Sequence, residues 1–163
     1  METETLGAFS RGTLFAMLSE AYRALPELAE RDRDSWREFD DFFYDRPVVL
    51  ETCGFMSMAE GRPVGFITWD PRGLPEKVEI GHNCILPAYR GRGYGEAQLG
   101  EALARIRTRF PRTVRVMTGT GDFFLPARRM YESQGFVATA EEAPVECVIY
   151  RLELARITGE PRA

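Results

Sequence analysis

The chain has 163 residues and a formal net charge of −4, from 21 lysines and arginines against 25 aspartates and glutamates. This length suits one compact domain, and the charge argues against broad nucleic-acid binding, because phosphate neutralisation needs a basic surface. The sequence shows no apolar run that could cross a membrane, no secretory signal at its start, and only three scattered cysteines with one histidine. We therefore expect a cytoplasmic protein with reduced thiols that binds neither nucleic acid nor membrane, with a homodimer left open.

The first 46 residues are predicted to be helical. Apolar side chains recur at helical spacing over residues 14–25, where Pro26 interrupts the pattern. A second helix is predicted over residues 27–44 and ends before Pro47. This segment carries no chemical signature of its own, so the motifs must lie further along the chain.

The middle of the chain changes to the composition of β-strands. The stretches "PVVLETCGFMSMA" (47–59) and "RPVGFITWD" (62–70) are rich in β-branched and aromatic residues. The "EGR" between them is typical of a hairpin turn. A third strand is predicted from "KVEIGHNCIL" (77–86), which Pro87 closes.

The rest of the chain alternates helices and strands. The next helix is predicted from four apolar residues on one helical face, namely Leu99, Leu103, Ile106 and Phe110. The stretch "TVRVMT" (113–118) predicts a strand, and "PARRMYESQGF" (126–136) predicts a helix with Pro126 in its first turn and Gly135 as its C-terminal cap. The remaining predictions are strands at 136–140 and 145–154 and a frayed tail at 158–163.

The predicted order of elements is α-α-β-β-β-α-β-α-β-β. A strand–helix–strand unit favours a parallel pair of strands, and the hairpins on either side favour antiparallel pairing. We therefore predict an α/β (α+β) fold with a mixed, mostly antiparallel sheet of about six to seven strands, a central parallel pair and about four flanking helices. We expect one domain, with a helical segment at 1–46, the sheet at 47–154 and a tail at 155–163.

The glycine-rich stretch "YRGRGYGEAQL" (89–99) lies between a predicted strand and a predicted helix. Backbone N–H groups at a helix start have no intrahelical acceptor, and glycines let a ligand approach closely, so the loop suits phosphate oxygens. Two nucleotide motifs do not match. A Walker loop ends in Gly-Lys-Ser/Thr where this chain has Gly-Glu-Ala, and Glu96 stands where a dinucleotide fingerprint has its third glycine. From the loop alone, a plain strand-to-helix connection stays an alternative.

A second motif follows the first in the chain. Arg90-x-x-Gly93-x-Gly95 matches a Gln/Arg-x-x-Gly-x-Gly/Ala signature, and "ARRMYESQGF" (127–136) matches an Ala-x-x-x-Tyr-x-x-x-Gly-Phe helix. Over residues 48–152 the chain thereby resembles the GNAT superfamily of acetyl-CoA-dependent N-acyltransferases, with the same order of elements. The resemblance implies the GNAT-like fold, whose central parallel strands splay apart, and acetyl-CoA (coenzyme A) as cosubstrate. It also implies that the early helices lie on the substrate side.

The resemblance implies a cofactor site around the loop. Backbone N–H groups would bind the pyrophosphate of coenzyme A at Arg90, Gly91, Arg92, Gly93, Tyr94 and Gly95. The end of the preceding strand would pair with the pantetheine arm like an added strand, at Cys84, Ile85 and Leu86. A backbone N–H there would polarise the thioester carbonyl.

Two residues are candidates for the general base that deprotonates the amine. Glu79 lies eleven residues before Arg90, where some GNAT enzymes carry a catalytic glutamate, and its neighbours Val78 and Ile80 predict an apolar setting that would raise its pKa. His82 has an ordinary pKa near neutrality, but in a regular strand it faces away from Glu79. Either could instead be a structural strand residue, so the base stays open.

Tyr131 is the candidate acid, because its position matches the tyrosine whose hydroxyl lies near the coenzyme A sulfur in the superfamily. The alternative is an aromatic residue that packs the last helix onto the sheet. Many members carry asparagine seven residues earlier, where it bonds the cofactor arm. Here that residue is Phe124, so this contact is not carried over.

The resemblance places the acceptor against the early helices and the facing strands. Aromatic faces and carboxylates in these segments suit a cationic amine, and the candidates are Trp36, Asp40, Phe43, Glu51 and Trp69. The alternative is that these residues are core and solvated surface.

The predicted activity is transfer of an acetyl group from acetyl-CoA to a primary amine of a small molecule, by direct transfer in a ternary complex without a metal. One alternative is acetylation of a protein or peptide amine. Another is a sensor or interaction module that binds acyl-CoA without catalysis.

Overall fold

The computed structural model describes residues 1–154, which contain five α-helices and seven β-strands. The helices are α1 (Thr13–Ala21), α2 (Pro26–Tyr44), α3 (Pro47–Thr52), α4 (Tyr94–Arg107) and α5 (Leu125–Ser133). The strands are β1 (Glu2–Glu4), β2 (Gly54–Ala59), β3 (Arg62–Asp70), β4 (Lys77–Ile85), β5 (Thr113–Gly119), β6 (Val137–Ala138) and β7 (Cys147–Glu153).

The strands pair in the order β1-β2-β3-β4-β5-β7-β6. The pairs β1–β2, β2–β3, β5–β7 and β6–β7 are antiparallel, whereas β4 and β5 are parallel, with residues 77–80 opposite residues 113–116. This confirms the predicted mixed, mostly antiparallel sheet with one parallel pair. The described residues hold five α-helices where about four were predicted, because α3 is additional.

The chain forms two compact units. The first comprises Met1–Trp69 and His82–Ala102, and the second comprises Asp70–Gly81 and the described residues from Leu103 on. The core of the first unit contains the buried side chains of Leu6, Leu14, Leu18, Phe55, Phe66, Ile67 and Leu99. The core of the second contains those of Val78, Ile80, Ile106, Val114, Val116 and Leu152.

Turn and cap residues behave as predicted. Glu60 and Gly61 join β2 to β3 with φ values of 50° and 71°, which is the left-handed pair that closes a two-residue hairpin. Gly135, with φ 88°, follows the C-terminal residues of α5, and Pro126 lies in the first turn of that helix. The predicted tail at 158–163 lies outside the described residues.

The predicted strand at 47–59 is wrong over its first half, because Pro47–Thr52 is the helix α3. Two adjacent valines gave this segment the composition of a strand. Pro47 instead suits the first turn of a helix, the N–H of Cys53 bonds to the carbonyl of Val49 at 2.8 Å, and Leu50 is buried. Tertiary burial of one side chain therefore overrides local β-propensity.

Two further expectations fail at element ends. Phe110 does not share the buried face of α4, because the helix ends at Arg107 and Phe110 is 67% exposed with φ 53°. Pro111 follows, and a residue before proline is disfavoured in the helical region. The short strand β1 was not predicted, because its three residues, Glu2–Glu4, have no apolar pattern and form a strand only through pairing with β2.

Within residues 1–154, no helix has both the length and the apolar character needed to span a membrane.

Candidate functional site

The glycine loop connects β4 to α4, and its backbone is shaped by two glycines. Gly91 and Gly93 have φ values of 71° and 81°, in the left-handed region that other residues rarely adopt. A Cβ atom added at either glycine would meet no atom within 4 Å, so the space above the backbone is open. The N–H of Ala97 bonds to the carbonyl of Gly93 at 3.1 Å, which makes Gly93 the start of the helical bonding. The N–H groups of the first turn therefore have no intrahelical acceptor and suit an anion.

The two arginines of this loop have different surroundings. The guanidinium of Arg90 donates through Nη2 to the carbonyl of Ala21 at 2.6 Å and through Nε to the carbonyl of Ile85 at 3.0 Å. Arg92 is exposed, with its guanidinium 5.9 Å from the centre of the Tyr89 ring. Arg92 thus presents its charge to solvent, whereas Arg90 connects the end of α1 to the end of β4.

The end of β4 has one side turned toward β3 and one turned away. The N–H of Leu86 donates to the carbonyl of Val64 at 2.8 Å, so Leu86 faces β3. Because alternate residues of a strand direct their N–H groups to opposite sides, the N–H of Ile85 points away from β3. Cys84 is buried, and burial raises the pKa of its thiol to about 12, so this side chain stays protonated and acts as an apolar group.

A buried polar network, not predicted from the sequence, lies beneath this strand end. The side chain of Gln98 is fully buried, and its Nε2 donates to the carbonyl of Phe66 at 2.9 Å, to Oδ1 of Asn83 at 2.7 Å and to the carbonyl of Cys84 at 3.3 Å. Its Oε1 accepts from the hydroxyl of Ser57 at 2.6 Å. Buried polar groups are costly unless bonded, so this network holds α4 against three strands in one arrangement.

Gly65 makes room for this network. A Cβ atom at Gly65 would lie 2.3 Å from the carbonyl oxygen of Cys84 and 3.1 Å from Oε1 of Gln98. The signal for the network was a glutamine beside Leu99 on a helix face otherwise predicted from apolar residues. Its partners come from distant strands, so the sequence alone does not identify them.

His82 is packed against the helix α2. Its ring meets the Phe39 ring edge-on at 4.4 Å, and its backbone N–H donates to the hydroxyl of Thr68 at 3.2 Å. Burial lowers the pKa of His82 to about 4, and the carboxylate of Asp32 opposes that shift only in part. At neutral pH the imidazole is therefore uncharged.

Asp40, predicted on the acceptor side, caps a helix. Its carboxylate is buried and accepts from the N–H of Gly12 at 2.8 Å and from the N–H of Phe15 at 3.1 Å. These are donors at the start of α1, where Gly12 itself offers no side-chain cap. Asp40 therefore satisfies orphan donors of α1 from a position on α2.

The aromatic acceptor candidates are buried in the first unit. Trp36 stacks on Tyr22 at 5.4 Å, Phe43 packs against Phe39 at 5.0 Å, and Trp69 packs against Phe55 at 6.4 Å. Glu51 is exposed, and its carboxylate accepts from the hydroxyl of Thr5 at 2.5 Å.

Glu79, in the second unit, is not in the apolar setting predicted for it. Its carboxylate lies 3.3 Å from Nη1 of Arg115 and 3.8 Å from Nζ of Lys77, and its side chain is 39% exposed. The buried residues Val78 and Ile80 point to the other face of the strand, as alternation requires. Glu79 instead lines a cavity of about 330 Å³, together with Asp70, Arg72, Gly73 and Lys77.

Tyr131 is buried on α5, at 4% exposure. Its ring lies 5.6 Å from the ring of Phe136 and 6.1 Å from that of Tyr150. The hydroxyl of Tyr150 donates to the carboxylate of Glu132 at 2.8 Å. Two aromatic rings and a helix thus hold the Tyr131 ring in one orientation.

Phe124, which stands where the superfamily often has asparagine, packs on the end of β5. A Cβ atom at Gly119 would lie 2.3 Å from Cδ2 of Phe124, so the ring lies against the glycine backbone. The position therefore contributes an apolar contact to the second unit.

The family model of the acetyltransferase (GNAT) family matches residues 14–136. The match begins inside α1, so the family pattern reaches further toward the N-terminus than the two motifs indicated. No curated protein sequence matches the chain.

Solved structures agree on the fold. The paia N-acetyltransferase from Thermoplasma acidophilum, solved in complex with coenzyme A, has a TM-score of 0.74 at 17% identity and covers 94% of this chain and 100% of its own. A GNAT family acetyltransferase from Elizabethkingia anophelis with acetyl-CoA bound has a TM-score of 0.55 at 16% identity, over 66% of this chain and 80% of its own. An aminoglycoside 6'-acetyltransferase type Ii has a TM-score of 0.67 at 17% identity over 100% of both chains. The match of the family model over most of the sequence, together with a loop built around left-handed glycines at a helix start, shows that the chain belongs to the GNAT family of acetyltransferases.

Proposed function

We propose that the chain is an N-acetyltransferase that moves the acetyl group of acetyl-CoA to a primary amine of a small molecule, by direct transfer in a ternary complex. The observation that carries the cofactor half is the loop at the start of α4. Gly91 and Gly93 are left-handed and open above the backbone, which is the shape needed for phosphate oxygens to approach N–H groups. Membership of the GNAT family supports acetyl-CoA as the donor.

The loop binds the pyrophosphate mainly through backbone N–H groups of residues 91–95. The exposed guanidinium of Arg92 adds charge attraction. The segment Cys84–Leu86 holds the pantetheine arm, although the carbonyl of Ile85 already accepts one bond from Arg90 and has one lone pair left.

The N–H of Ile85 is the donor that stabilises the developing oxyanion. It points away from β3, and the strand end around it is fixed by Gln98 and Arg90. A donor that is oriented before the reaction stabilises the negative charge without reorganisation.

Glu79 is the general base in this proposal. Its carboxylate lines the 330 Å³ cavity, which is large enough for a small amine, and it lies 3.3 Å from Nη1 of Arg115 and 3.8 Å from Nζ of Lys77, which hold it in place. His82 is the rival. Its imidazole is neutral, but its lowered pKa makes it a weak proton acceptor near pH 7.

The proton and bond balance of the reaction is simple. Glu79 takes a proton from the acceptor ammonium, and the freed amine nitrogen bonds to the carbonyl carbon as the carbon–sulfur bond breaks. The nitrogen then loses its second proton to solvent, and Tyr131 supplies a proton from its hydroxyl to the departing sulfur. Solvent returns a proton to Tyr131 and removes the proton held by Glu79, so one proton is released in each cycle. The acceptor candidates Trp36, Asp40, Phe43, Glu51 and Trp69 shape the first unit. Four of them act through packing and capping, since their side chains are buried.

A thiol-release assay with acetyl-CoA tests the proposal. The purified chain is mixed with acetyl-CoA and single members of a panel that contains polyamines, aminoglycosides, free amino acids and a lysine peptide. We expect acceptor-dependent release of coenzyme A with a small amine. Release with the peptide alone would move the acceptor class to proteins.

Calorimetry separates catalysis from binding alone. We expect acetyl-CoA to bind and ATP not to bind. Acetyl-CoA binding with no thiol release across the panel would support a sensor, and ATP binding without acetyl-CoA binding would overturn the proposal.

The identity of the base is tested by two conservative variants. Glu79→Gln keeps the size of the side chain and is expected to lower kcat by about 10²-fold. His82→Gln is expected to leave the rate within a few-fold. The reverse pattern would assign the base to His82.

A further inference from the structure

We propose that the side chain of Arg90 is a positioning residue, which locks the cofactor strand to the end of α1, and not a ligand of the coenzyme A phosphates. The inference rests on the proposed function, because it concerns how the same site is held. It separates Arg90 from Arg92, two residues that the loop motif alone makes equivalent.

The donors of Arg90 are directed at backbone carbonyls. Nη2 donates to Ala21 at 2.6 Å and Nε donates to Ile85 at 3.0 Å. These two nitrogens form one edge of the guanidinium, and a bidentate bond to phosphate needs two nitrogens of one edge. With that edge occupied by two carbonyls, recognition of a phosphate group through Nε and Nη2 is unavailable to Arg90.

The carbonyl of Ala21 is a suitable partner for a cation. Ala21 is the last residue of α1, and the final carbonyls of a helix lack intrahelical donors and carry partial negative charge. The bond joins residues 69 positions apart in the chain, so it fixes a tertiary arrangement.

The second bond fixes a peptide plane beside the proposed oxyanion donor. The carbonyl of Ile85 accepts from Arg90, and the N–H of Leu86 in the same peptide unit donates to Val64 at 2.8 Å. The preceding peptide unit has its carbonyl, on Cys84, bonded to Gln98 at 3.3 Å. The N–H of Ile85 belongs to that unit, so it lies between two side-chain bonds that set its direction.

Arg92 provides the matched comparison. Both arginines are exposed, but Arg92, two residues further along, has the Tyr89 ring 5.9 Å from its guanidinium where Arg90 has two backbone carbonyls. Its charge is therefore available to the phosphates, and screening by salt acts on it fully.

A shortened acetyl donor distinguishes the positioning role of Arg90 from the phosphate-binding role of Arg92. Acetyl-pantetheine carries the thioester and the pantetheine arm but lacks the pyrophosphate and the nucleotide. We expect Arg90→Gln to lower kcat about tenfold or more with acetyl-CoA and by a similar factor with acetyl-pantetheine, because the oxyanion donor is misplaced with both. We expect Arg92→Gln to weaken acetyl-CoA binding several-fold. With acetyl-pantetheine, which lacks the pyrophosphate, Arg92→Gln should bind and react like the wild type.

Lysine substitution and salt provide the second arm. A lysine at position 90 keeps the charge, but one ammonium cannot reproduce two directed bonds to Ala21 and Ile85. We therefore expect Arg90→Lys to restore little of the lost kcat. The salt dependence of the Kd for acetyl-CoA should match wild type in Arg90→Gln and become shallower in Arg92→Gln.

Specific outcomes would overturn the inference. If the loss in Arg90→Gln disappears with acetyl-pantetheine, or Arg90→Lys restores the rate, Arg90 is a phosphate ligand. If Arg90→Gln does not fold, as judged by circular dichroism, the same measurements on Arg90→Lys decide. A wild-type chain that neither binds nor turns over acetyl-CoA would refute the proposed function itself, which is a different result.

Discussion

Polar side chains have different partners in two regions of the molecule. One region is the end of β4 with the glycine loop, in the first unit, and the other is the cavity lined by Glu79, in the second unit. At residues 84–95, Arg90 and Gln98 bond to backbone carbonyls, and glycines open the backbone to a ligand. Around the cavity, ion pairs join side chains that are exposed or half-buried. Groups bonded to backbone are fixed by the fold, whereas exposed ion pairs contribute little stability and change with single substitutions. The comparison indicates that the arrangement around the loop is set by the fold, whereas the arrangement around the cavity is easily altered by substitution.

The largest expected effect lies in the glycine loop. Gly93→Val places a β-branched residue at φ 81°, so we expect the loop to move and the Kd for acetyl-CoA to rise about 100-fold or more. The control is Gly100→Ala inside α4, where an added Cβ meets no atom within 4 Å and the fold should gain up to about 1 kcal/mol. Titration calorimetry measures the Kd of each variant for acetyl-CoA, and scanning calorimetry measures its stability. Wild-type affinity in Gly93→Val would show that the loop does not bind the donor.

The second effect concerns stability in the first unit. Asp40→Ala leaves the N–H groups of Gly12 and Phe15 without their carboxylate, so we expect the free energy of unfolding to fall by about 2 kcal/mol in urea titration. Its neighbour Asp41 pairs with the exposed Arg11, and Asp41→Ala should cost about 0.5 kcal/mol or less. Equal losses in the two variants would contradict the capping role of Asp40.

The third effect concerns turnover and tests Tyr131, a residue of the second unit. We expect Tyr131→Phe to lower kcat about tenfold or more with little change in acetyl-CoA affinity, because the variant lacks the proposed proton donor but keeps the ring. Tyr150→Phe, which loses a hydroxyl bonded to Glu132 but keeps its ring, is the matched control and should keep its rate. A pH–rate series in which Tyr131→Phe matches wild type would leave this tyrosine with a packing role.

The smallest effect is the pH dependence contributed by His82. Its folded pKa of about 4 lies below the ordinary value of 6.5, so the unfolded chain takes up the proton first as the pH falls. The stability due to this group is complete above pH 6.5 and is lost toward pH 4, with about 1 kcal/mol lost between pH 8 and pH 6. Urea titrations at both pH values measure it, with His82→Gln as the reference that lacks the dependence. If the free energy of unfolding changes equally with pH in both proteins, the His82 side chain is solvated and not buried.

The sequence predicted the parts of the fold that local patterns encode. The glycines of the loop and of the Glu60–Gly61 turn signal left-handed backbone, and the alternation in 77–86 signals a strand. By contrast, α3 and β1 form because of distant contacts, such as the burial of Leu50 and the pairing with β2. Propensity alone does not contain these contacts.

In the candidate site, too, local patterns predicted some features and missed those that depend on distant contacts. The left-handed backbone of the loop was signalled by the spacing of its glycines, because glycine is favoured where the backbone is left-handed, whereas binding of the cofactor there stays a prediction. The apolar setting predicted for Glu79 was wrong, because its sequence neighbours point to the opposite face and its cations come partly from β5. The roles of Arg90 and Gln98 depend on partners up to 69 residues away, which one sequence does not reveal.

The helix α1 is attached at both ends by charged side chains from elsewhere in the chain. Asp40 holds its first turn, and Arg90 holds the carbonyl of its last residue. A chimera that exchanges residues 1–46 for those of a relative, in order to change the acceptor, would therefore also replace the anchor of the donor strand. Such grafts should succeed only when the incoming helix has the same length, so that its final carbonyl still meets Arg90. The spacing between Asp40 and that carbonyl is thus a design constraint on any exchange of residues 1–46.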